Sequence, residues 1–426
     1  MKDDYNISIK NNIGFFDLIK SKFCLDISYL FFIAPFYSYM GFTSEFSLEN
    51  FFYSIIILFF FSSILQLSQY FLSDYLKTFI FHVLFLPSLT MFTFQSISPD
   101  FFLKWLIIFV FFIIIFNQKI VFKSAYQTSF LFKNYMIYGL LLFSFFLYSY
   151  YFGTNLNFQY FALLSDTLYE GRESFSVAGS KLGMIRYFFS NIQNVALPLF
   201  LSYGLYKKNK ILVLLTFALY MYVFLTTTLK TILFTPILIL FTYFILRDKS
   251  IYIPHAIFKN FYKVILAAIV IDYFLYSPYI HILFIRRLLF LPVLVSEKYF
   301  QYFDENNFTY LSDLPLFESL FIYPFDGSIP NIIGKYFIYN SGYMNGSFLA
   351  DGYIKIGLLS VFLYIIFLKL FTSLVDKKVN FDTQFIIFSV VFASILALTN
   401  SSMTTTLFSH GLLISFFVSS QVKGAI

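Results

Sequence analysis

Apolar runs long enough to cross a bilayer recur along the whole of this 426-residue chain. About 20 predominantly apolar residues are needed for one helical crossing, so runs of this length are typical of transmembrane helices. Hydrophobic residues make up 59% of the sequence and charged residues only 12%. A water-soluble domain has no means of burying so much apolar surface. The sequence therefore predicts an all-α, polytopic integral membrane protein.

Hydropathy places about twelve transmembrane helices along the chain. Their predicted ranges are 27–43, 51–71, 78–97, 101–116, 135–152, 187–206, 211–228, 232–246, 264–280, 352–372, 384–399 and 406–421. The chain then divides into a cytoplasmic N-terminal segment at 1–26, transmembrane helices at 27–152, a first large outer loop at 153–186, further helices at 187–280, a second large outer loop at 281–350, and the last helices with a short cytoplasmic tail at 351–426.

Basic residues orient the predicted helices. The short loops "YKKNK", "RDKS" and "VDKK" fall on the same side as the N-terminus, and the positive-inside rule places that side in the cytoplasm. The predicted topology is therefore N-in and C-in. This bias explains most of the formal net charge of +7, so the charge requires no nucleic-acid partner, and the chain carries no nucleic-acid motif.

Side chains that bind metals are sparse and scattered. Cys24 is the single cysteine, which excludes an internal disulfide, a cysteine-based zinc site and a redox pair. The four histidines, His82, His255, His281 and His410, show no metal-binding spacing. The sequence therefore predicts no bound metal and no cofactor.

The first outer loop carries arginines that suit a phosphate ligand. Arg172 lies beside Glu170 and Glu173, and Arg186 opens the next predicted helix. The planar guanidinium matches phosphate bidentately, which favours a binding role. The alternatives are an ordinary solvated loop for Arg172 and interfacial anchoring for Arg186.

Two further charged residues lie close to predicted helices. Lys230 occupies the turn "FLTTTLKTILFTP", where it either snorkels to the outer headgroups or points into a central cavity. Asp272 lies inside the predicted helix 264–280, and an intramembrane carboxylate is a functional hypothesis by default.

The second outer loop presents an arginine pair and ends in an acidic helix start. Arg286 and Arg287 point about 100° apart on a helix, so at most one faces a given ligand, and both choices stay open. In "NGSFLADGYIKIGLL", Asp351 stands at the start of a helix, either as an active-site carboxylate or as a simple N-cap. Gly342, Gly346 and Gly352 are expected to let this backbone bend.

Together these segments resemble the Wzy-type polymerases, which join O-antigen or capsule repeat units. "IRRLLFLPVLVSEKYFQYF" looks like the arginine pair and tyrosine-rich helix of this family, and "YPFDGSIPNIIGKYF" resembles its proline and Ile-Gly-Lys-Tyr segment. "MNGSFLADGYIKIGLL" resembles its acidic, glycine-terminated helix entry. Upstream, "TTTLKT" resembles its Ser/Thr-rich turn, and Arg172 to Gly183 fits its Arg-x10-Gly motif.

The resemblance implies a GT-C-like helical fold with two large periplasmic loops in the bacterial inner membrane. It implies metal-independent transfer of a growing glycan from its polyprenyl diphosphate carrier, such as undecaprenyl diphosphate, to the next lipid-linked repeat unit. The implied partners are this lipid-linked donor and acceptor, the bilayer and a chain-length regulator protein. The residues implied in catalysis are Asp351, Arg172, Arg286 and Arg287, and those implied in substrate binding are Lys230, Arg186, Lys335, Asn345, Tyr353 and Gly183.

Two other functions fit parts of the sequence. An O-antigen ligase uses the same donor with a lipid A-core acceptor and has a similar loop layout. A lipid-linked oligosaccharide flippase or other transporter would more naturally show repeat symmetry, helices interrupted at the midplane and short outer loops. The long outer loops and the polar residues clustered at one face favour the enzyme.

The predicted topology is testable with reporter fusions. Fusions at Lys208, Lys249 and Lys377 should report a cytoplasmic location, and fusions within 155–180 and 300–340 a periplasmic one, because the basic short loops stay inside. A cytoplasmic signal from a fusion at Asn306 would contradict the placement of the active site on the outer face.

Overall fold

The structure of the protein, a computed structural model, describes residues 14–68, 70–120, 134–153, 158–161, 170–171, 175, 182–183, 185–245, 252–313, 322–337, 343–376 and 381–421. Within these ranges the regular secondary structure is helical and contains no β-strand, which confirms the predicted all-α class.

The helices are numbered here in chain order. The first ten are α1 Phe15–Phe32, α2 Ala34–Tyr37, α3 Leu48–Ile64, α4 Phe71–Thr93, α5 Pro99–Asn117, α6 Asn134–Phe152, α7 Ile185–Asn191, α8 Leu197–Tyr206, α9 Lys210–Thr227 and α10 Lys230–Ile245. The others are α11 Ile253–Leu275, α12 His281–Phe290, α13 Leu291–Glu305, α14 Ile329–Phe337, α15 Phe348–Ile356, α16 Leu358–Val375, α17 Phe381–Ala397, α18 Met403–Phe408 and α19 Leu412–Gln421. Helix α12 is a π-helix that runs directly into α13.

A few of these helices meet the length and composition of a membrane span. Among the described residues α4, α5 and α9 are long and apolar enough, and α1 followed by the segment Ala34–Met40, bent by 48°, makes a fourth if the two parts form one span. Five shorter apolar helices accompany them. This architecture is consistent with a helical membrane protein, while the twelve crossings and their orientation stay predictions.

Helix α1 begins inside the segment 1–26, whereas the sequence analysis expected the first helix near residue 27. The difference arises because Lys22 and Asp26 lower the hydropathy of this stretch. In the folded chain their side chains form an ion pair at 2.7 Å, and Lys22 is only 1% exposed. Thr90 of α4 donates to Asp26 at 2.8 Å, so the charges are satisfied within the helical packing.

The predicted helix 352–372 is divided at Gly357. This residue has φ +69° and ψ −145°, a backbone region that is essentially restricted to glycine. Helix α15 ends there and α16 begins at the next residue. The last predicted helix, 406–421, is likewise divided into α18 and α19. Hydropathy predicts neither break, because it does not register backbone conformation.

The described chain forms two compact units. The first comprises residues 1–122, 252–378 and 398–403, and the second comprises residues 123–251, 379–397 and 404–426. In the second unit, α6 to α10 and α17 share an apolar core that includes the fully buried Tyr148, Leu201 and Tyr220. The first unit holds most of the buried charged side chains discussed below.

A recurring feature of the first unit is a buried or half-buried carboxylate that accepts hydrogen bonds from backbone N–H groups where a helix begins. Asp376 accepts from Leu72 N at 2.8 Å at the start of α4, and Glu297 accepts from Ser98 N at 2.7 Å just before α5. The first N–H groups of a helix have no partner within it, and the helix dipole favours a negative charge there. These contacts therefore join segments that are far apart in sequence.

Asp376 belongs to a buried polar network at the start of α4. Its carboxylate also accepts from Ser73 N at 3.1 Å. Asp74 contacts Lys77 at 3.3 Å and accepts from the Tyr252 hydroxyl at 2.8 Å, and neither Asp74 nor Lys77 is exposed. The Lys77 side chain is fully buried and also donates to Asn117 at 3.0 Å.

Replacing Asp376 by alanine should lower the free energy of unfolding by about 2–4 kcal/mol, because buried N–H groups at the start of α4 lose their acceptor. Asp376→Asn should cost less, since an amide oxygen still accepts. Chemical unfolding in detergent micelles measures both values.

The matched control is Ser47→Ala, which removes a local cap at Asn50 N and should cost about 1 kcal/mol. Wild-type stability of Asp376→Ala would show that the long-range contact does not hold α4.

Candidate active site

The predicted site residues fall into three groups. Arg172 lies outside the described residues, as does Glu173. Gly183, Arg186 and Lys230 belong to the second unit. The first unit contains the remaining six, which are Arg286, Arg287, Lys335, Asn345, Asp351 and Tyr353.

The candidates of the second unit lie at the ends of helices. Gly183 occupies a turn with φ +52°, a conformation that favours glycine. Arg186 is exposed near the start of α7, where its guanidinium lies 5.6 Å from the ring centroid of Tyr187. Lys230 is the half-buried first residue of α10. These positions fit both anchoring and ligand binding, so both interpretations stay open.

Asp351 lies in the first turn of α15 and is buried. Its Oδ1 lies 3.2 Å from Lys355 Nζ, and its Oδ2 accepts from Met403 N at 3.1 Å. Burial raises the pKa of the Asp351 carboxyl, and the Lys355 ammonium partly offsets that shift.

The N-cap of α15 is Ser347 rather than Asp351. The Ser347 side chain accepts from Ala350 N at 3.3 Å. The alternative reading of Asp351 as an N-cap of its own helix is therefore wrong. Its carboxylate instead joins α15 to Met403.

Lys355 and Asp313 are the residues that the sequence analysis missed. Lys355 is completely buried, and its ammonium contacts Asp351 on one side and Asp313 on the other. The four-residue spacing of Asp351 and Lys355 on one helix was the available signal for this pair. Asp313 gave no such local signal, because its approach depends on a loop.

That loop follows α13 and binds the end of α15. Thr309 N donates to Ile354 O at 2.8 Å, and Tyr310 N donates to Lys355 O at 3.1 Å. Tyr310 and Leu311 both have positive φ, 50° and 71°, a strained conformation for side chains of this size. The two hydrogen bonds satisfy carbonyls at the end of α15 and bring Asp313 next to Lys355.

Tyr353 lies against α13. Its ring stacks on Phe300 with centroids 3.7 Å apart, and its hydroxyl hydrogen-bonds Asp304. Asp304 in turn pairs with Lys104 at 2.7 Å. Tyr353 therefore packs α15 against α13. Its role in binding substrate stays a prediction.

The glycines of this region act through close packing. A Cβ on Gly352 would lie 3.2 Å from Val361 Cα, so glycine lets α15 and α16 approach each other. Gly346 packs in the same way against the Tyr299 ring, and Gly342 lies outside the described residues. The expected bend occurs at Gly357 instead. Lys335 and Asn345 are both exposed.

Arg286 and Arg287 occupy different environments on α12. Arg286 is buried, with its guanidinium 4.0 Å from the ring centroid of Tyr37 and its Nη1 3.5 Å from Met40 Sδ. Arg287 is only half-buried. The two arginines, which the sequence did not distinguish, therefore differ in burial. Arg286 is the one that packs against the bent segment after α1.

Asp272 at the end of α11 binds the start of the next helix. Its carboxylate accepts from Ile280 N at 2.8 Å, His281 N at 2.9 Å and His281 Nδ1 at 2.7 Å. The buried carboxylate therefore caps the turn that enters α12 and orients His281.

Comparison of the chain with protein-family models, with curated proteins and with solved structures gives no match. The resemblance to the Wzy-type polymerases therefore rests on the sequence motifs alone.

Replacing Lys355 by methionine should lower the free energy of unfolding by about 3–5 kcal/mol, because it leaves the buried Asp351 carboxylate without its cation. Adding Asp351→Asn should restore part of that loss, since the stranded charge is removed. Unfolding of the single and double variants in detergent gives the coupling energy.

Lys335→Met, at an exposed lysine, is the control and should change stability by about 0.5 kcal/mol or less. Additive effects of Lys355→Met and Asp351→Asn would mean that the pair is not coupled.

Proposed function

We propose that this protein is a polymerase that joins polyprenyl-diphosphate-linked oligosaccharide repeat units at the outer face of the bacterial inner membrane. The observation that carries the proposal is the set of charged side chains contributed by one predicted outer loop and the helix that follows it. Arg286 and Arg287 stand on α12, while Asp313, Asp351 and Lys355 form a buried cluster at α15.

These two groups belong to helices that pack together. Helix α13 continues from α12 and contacts the α15 region through Tyr299 Oη to Met344 O at 2.7 Å and Ser296 Oγ to Ser347 Oγ at 2.9 Å. Fixed cations and carboxylates on a rigid frame suit a reaction in which charge develops at defined atoms.

The chemistry follows from the donor. A hydroxyl oxygen of the acceptor repeat unit loses its proton to a base as it attacks the anomeric carbon of the donor glycan, and the bond from that carbon to the diphosphate oxygen breaks. The diphosphate leaves with the electron pair, and the arginines stabilise its added negative charge through bidentate hydrogen bonds. Asp351, held by Lys355, positions the acceptor side of the site.

No external energy source enters this scheme, because the diphosphate is already a good leaving group. Purified protein should therefore polymerise synthetic polyprenyl-diphosphate repeat units in detergent that contains a strong chelator. Products are resolved by size. A reaction that needs a divalent cation or an added nucleotide sugar would contradict the proposal.

Variants of Arg172 test its predicted role in the same assay. Arg172→Ala should abolish long products, and Arg172→Lys should restore only part of the activity, because the charge survives while the bidentate fork does not. Normal product lengths from Arg172→Ala would make Arg172 an ordinary loop residue.

The surface glycan of a deletion strain distinguishes a polymerase from a ligase or a flippase. Surface glycan reduced to single repeat units supports the polymerase. Complete absence of repeat units from the surface would instead support a ligase or a flippase.

A further inference from the structure

We propose that His281, oriented by Asp272, is the general base that accepts the proton of the attacking hydroxyl. The inference rests on the proposed glycosyl transfer and adds a residue to its site. Two properties of His281 carry it: the fixed orientation of the imidazole and the environment of its second nitrogen.

The orientation of His281 follows from its partner. The carboxylate of Asp272 lies 2.7 Å from His281 Nδ1 and also accepts two backbone N–H groups at the start of α12. An ionised carboxylate can only accept hydrogen bonds, so Nδ1 carries the imidazole proton. The lone pair of the neutral ring then lies on Nε2, as in other carboxylate–histidine pairs that act as bases.

The second nitrogen is buried without a partner. His281 has no exposed surface, and among the described residues its Nε2 makes no hydrogen bond. An unsatisfied buried polar atom is costly, and in native proteins it marks a functional group or the place of a further polar molecule. The ring cannot turn away to relieve the cost, because it stacks on Phe32 with centroids 4.2 Å apart.

The neighbourhood of His281 suits proton transfer next to a diphosphate. In a π-helix the hydrogen bonds link residues five apart, so Arg286 stands one turn beyond His281 on α12. Both residues face the bent N-terminal segment, His281 against Phe32 and Arg286 against Tyr37. A base and a phosphate-binding cation are thus held on adjacent turns of one helix.

The bend after α1 provides a route for the substrate. The helix is interrupted at Ile33, and Pro35 has no N–H to continue the ladder. The segment Ala34–Met40 that covers α12 can therefore move without unfolding α1. Opening here would uncover the Arg286 guanidinium, which lies against Tyr37, next to the point where α1 ends with Phe32 stacked on His281.

Asp351, the carboxylate of the predicted site, is less suitable as a base. Asp351 already contacts Lys355 and accepts from Met403 N, so proton transfer to it would disrupt two interactions. Transfer to His281 Nε2 disrupts none, and Asp272 stabilises the resulting imidazolium. Burial lowers the pKa of His281, with Asp272 opposing that shift. A lowered pKa keeps Nε2 unprotonated at neutral pH.

In the proposed step, one bond forms, one bond breaks and one proton moves. The acceptor oxygen forms its bond to the anomeric carbon as its proton moves to His281 Nε2. The bond to the diphosphate oxygen breaks, and the diphosphate keeps the electron pair beside Arg286. The imidazolium then loses its proton to solvent before the next turnover.

The first test uses His281→Asn in the purified polymerisation assay. An asparagine amide is placed to reproduce the Nδ1–H bond to Asp272, and it offers no base at Nε2. We expect an unfolding midpoint equal to that of the wild type and a loss of rate of about 100-fold or more. A rate within about threefold of the wild type would overturn the proposal. The control is His255→Asn, in α11, which should keep full activity.

The second test covers a His281→Asn variant that loses stability. His281→Ala is assayed with a series of substituted imidazoles added to the detergent solution. The restored rate should increase with the basicity of the added imidazole, because a base shows Brønsted behaviour and a packing residue does not. No rescue, or rescue that is independent of basicity, would overturn the assignment. Wild-type protein that forms no polymer from any lipid-linked repeat unit would instead reject the proposed function itself.

Discussion

Backbone N–H groups at the start of helices are the constraint on which the first unit depends. An apolar environment offers no water to satisfy them, so the protein has to supply acceptors. Four carboxylates do so: the half-buried Asp376 at α4, and the buried Glu297 at α5, Asp272 at α12 and Asp351 at Met403. Each carboxylate is itself stabilised, because the helix dipole and the N–H donors replace its lost hydration.

These contacts also determine which segments lie together. Asp376 and Leu72 are 304 residues apart, and Glu297 and Ser98 are 199 residues apart. Apolar side chains can pack against each other in several registers. A charge removed from water can pack only where its hydrogen-bond or ion-pair partner lies. The carboxylates therefore fix how the N-terminal helices pack against α13 and α16, and α13 and α15 take their positions from that frame.

The sequence predicted correctly those features of the fold that depend on hydropathy. It predicted the helical class and most of the helix positions. It misplaced the start of α1 because Lys22 and Asp26 look solvated in isolation, although each neutralises the other when buried. It gave Asp272 an open functional role, since the capping of α12 depends on a turn that hydropathy does not describe. Asp313 was missed for a related reason: its contact with Lys355 requires the strained loop at Tyr310 and Leu311.

Hydrogen-bond satisfaction separates the buried polar groups of the first unit into two kinds. Asp351 and Asp376 are surrounded by donors, and changing the protonation of either would disturb helix contacts. Such groups suit positioning and rigidity. His281 differs because one nitrogen is fixed by Asp272 while the other has no partner among the described residues. A folded protein tolerates that cost where the free atom is used, and His281 Nε2 therefore suits a proton transfer, since a carboxylate also stands ready to stabilise the imidazolium.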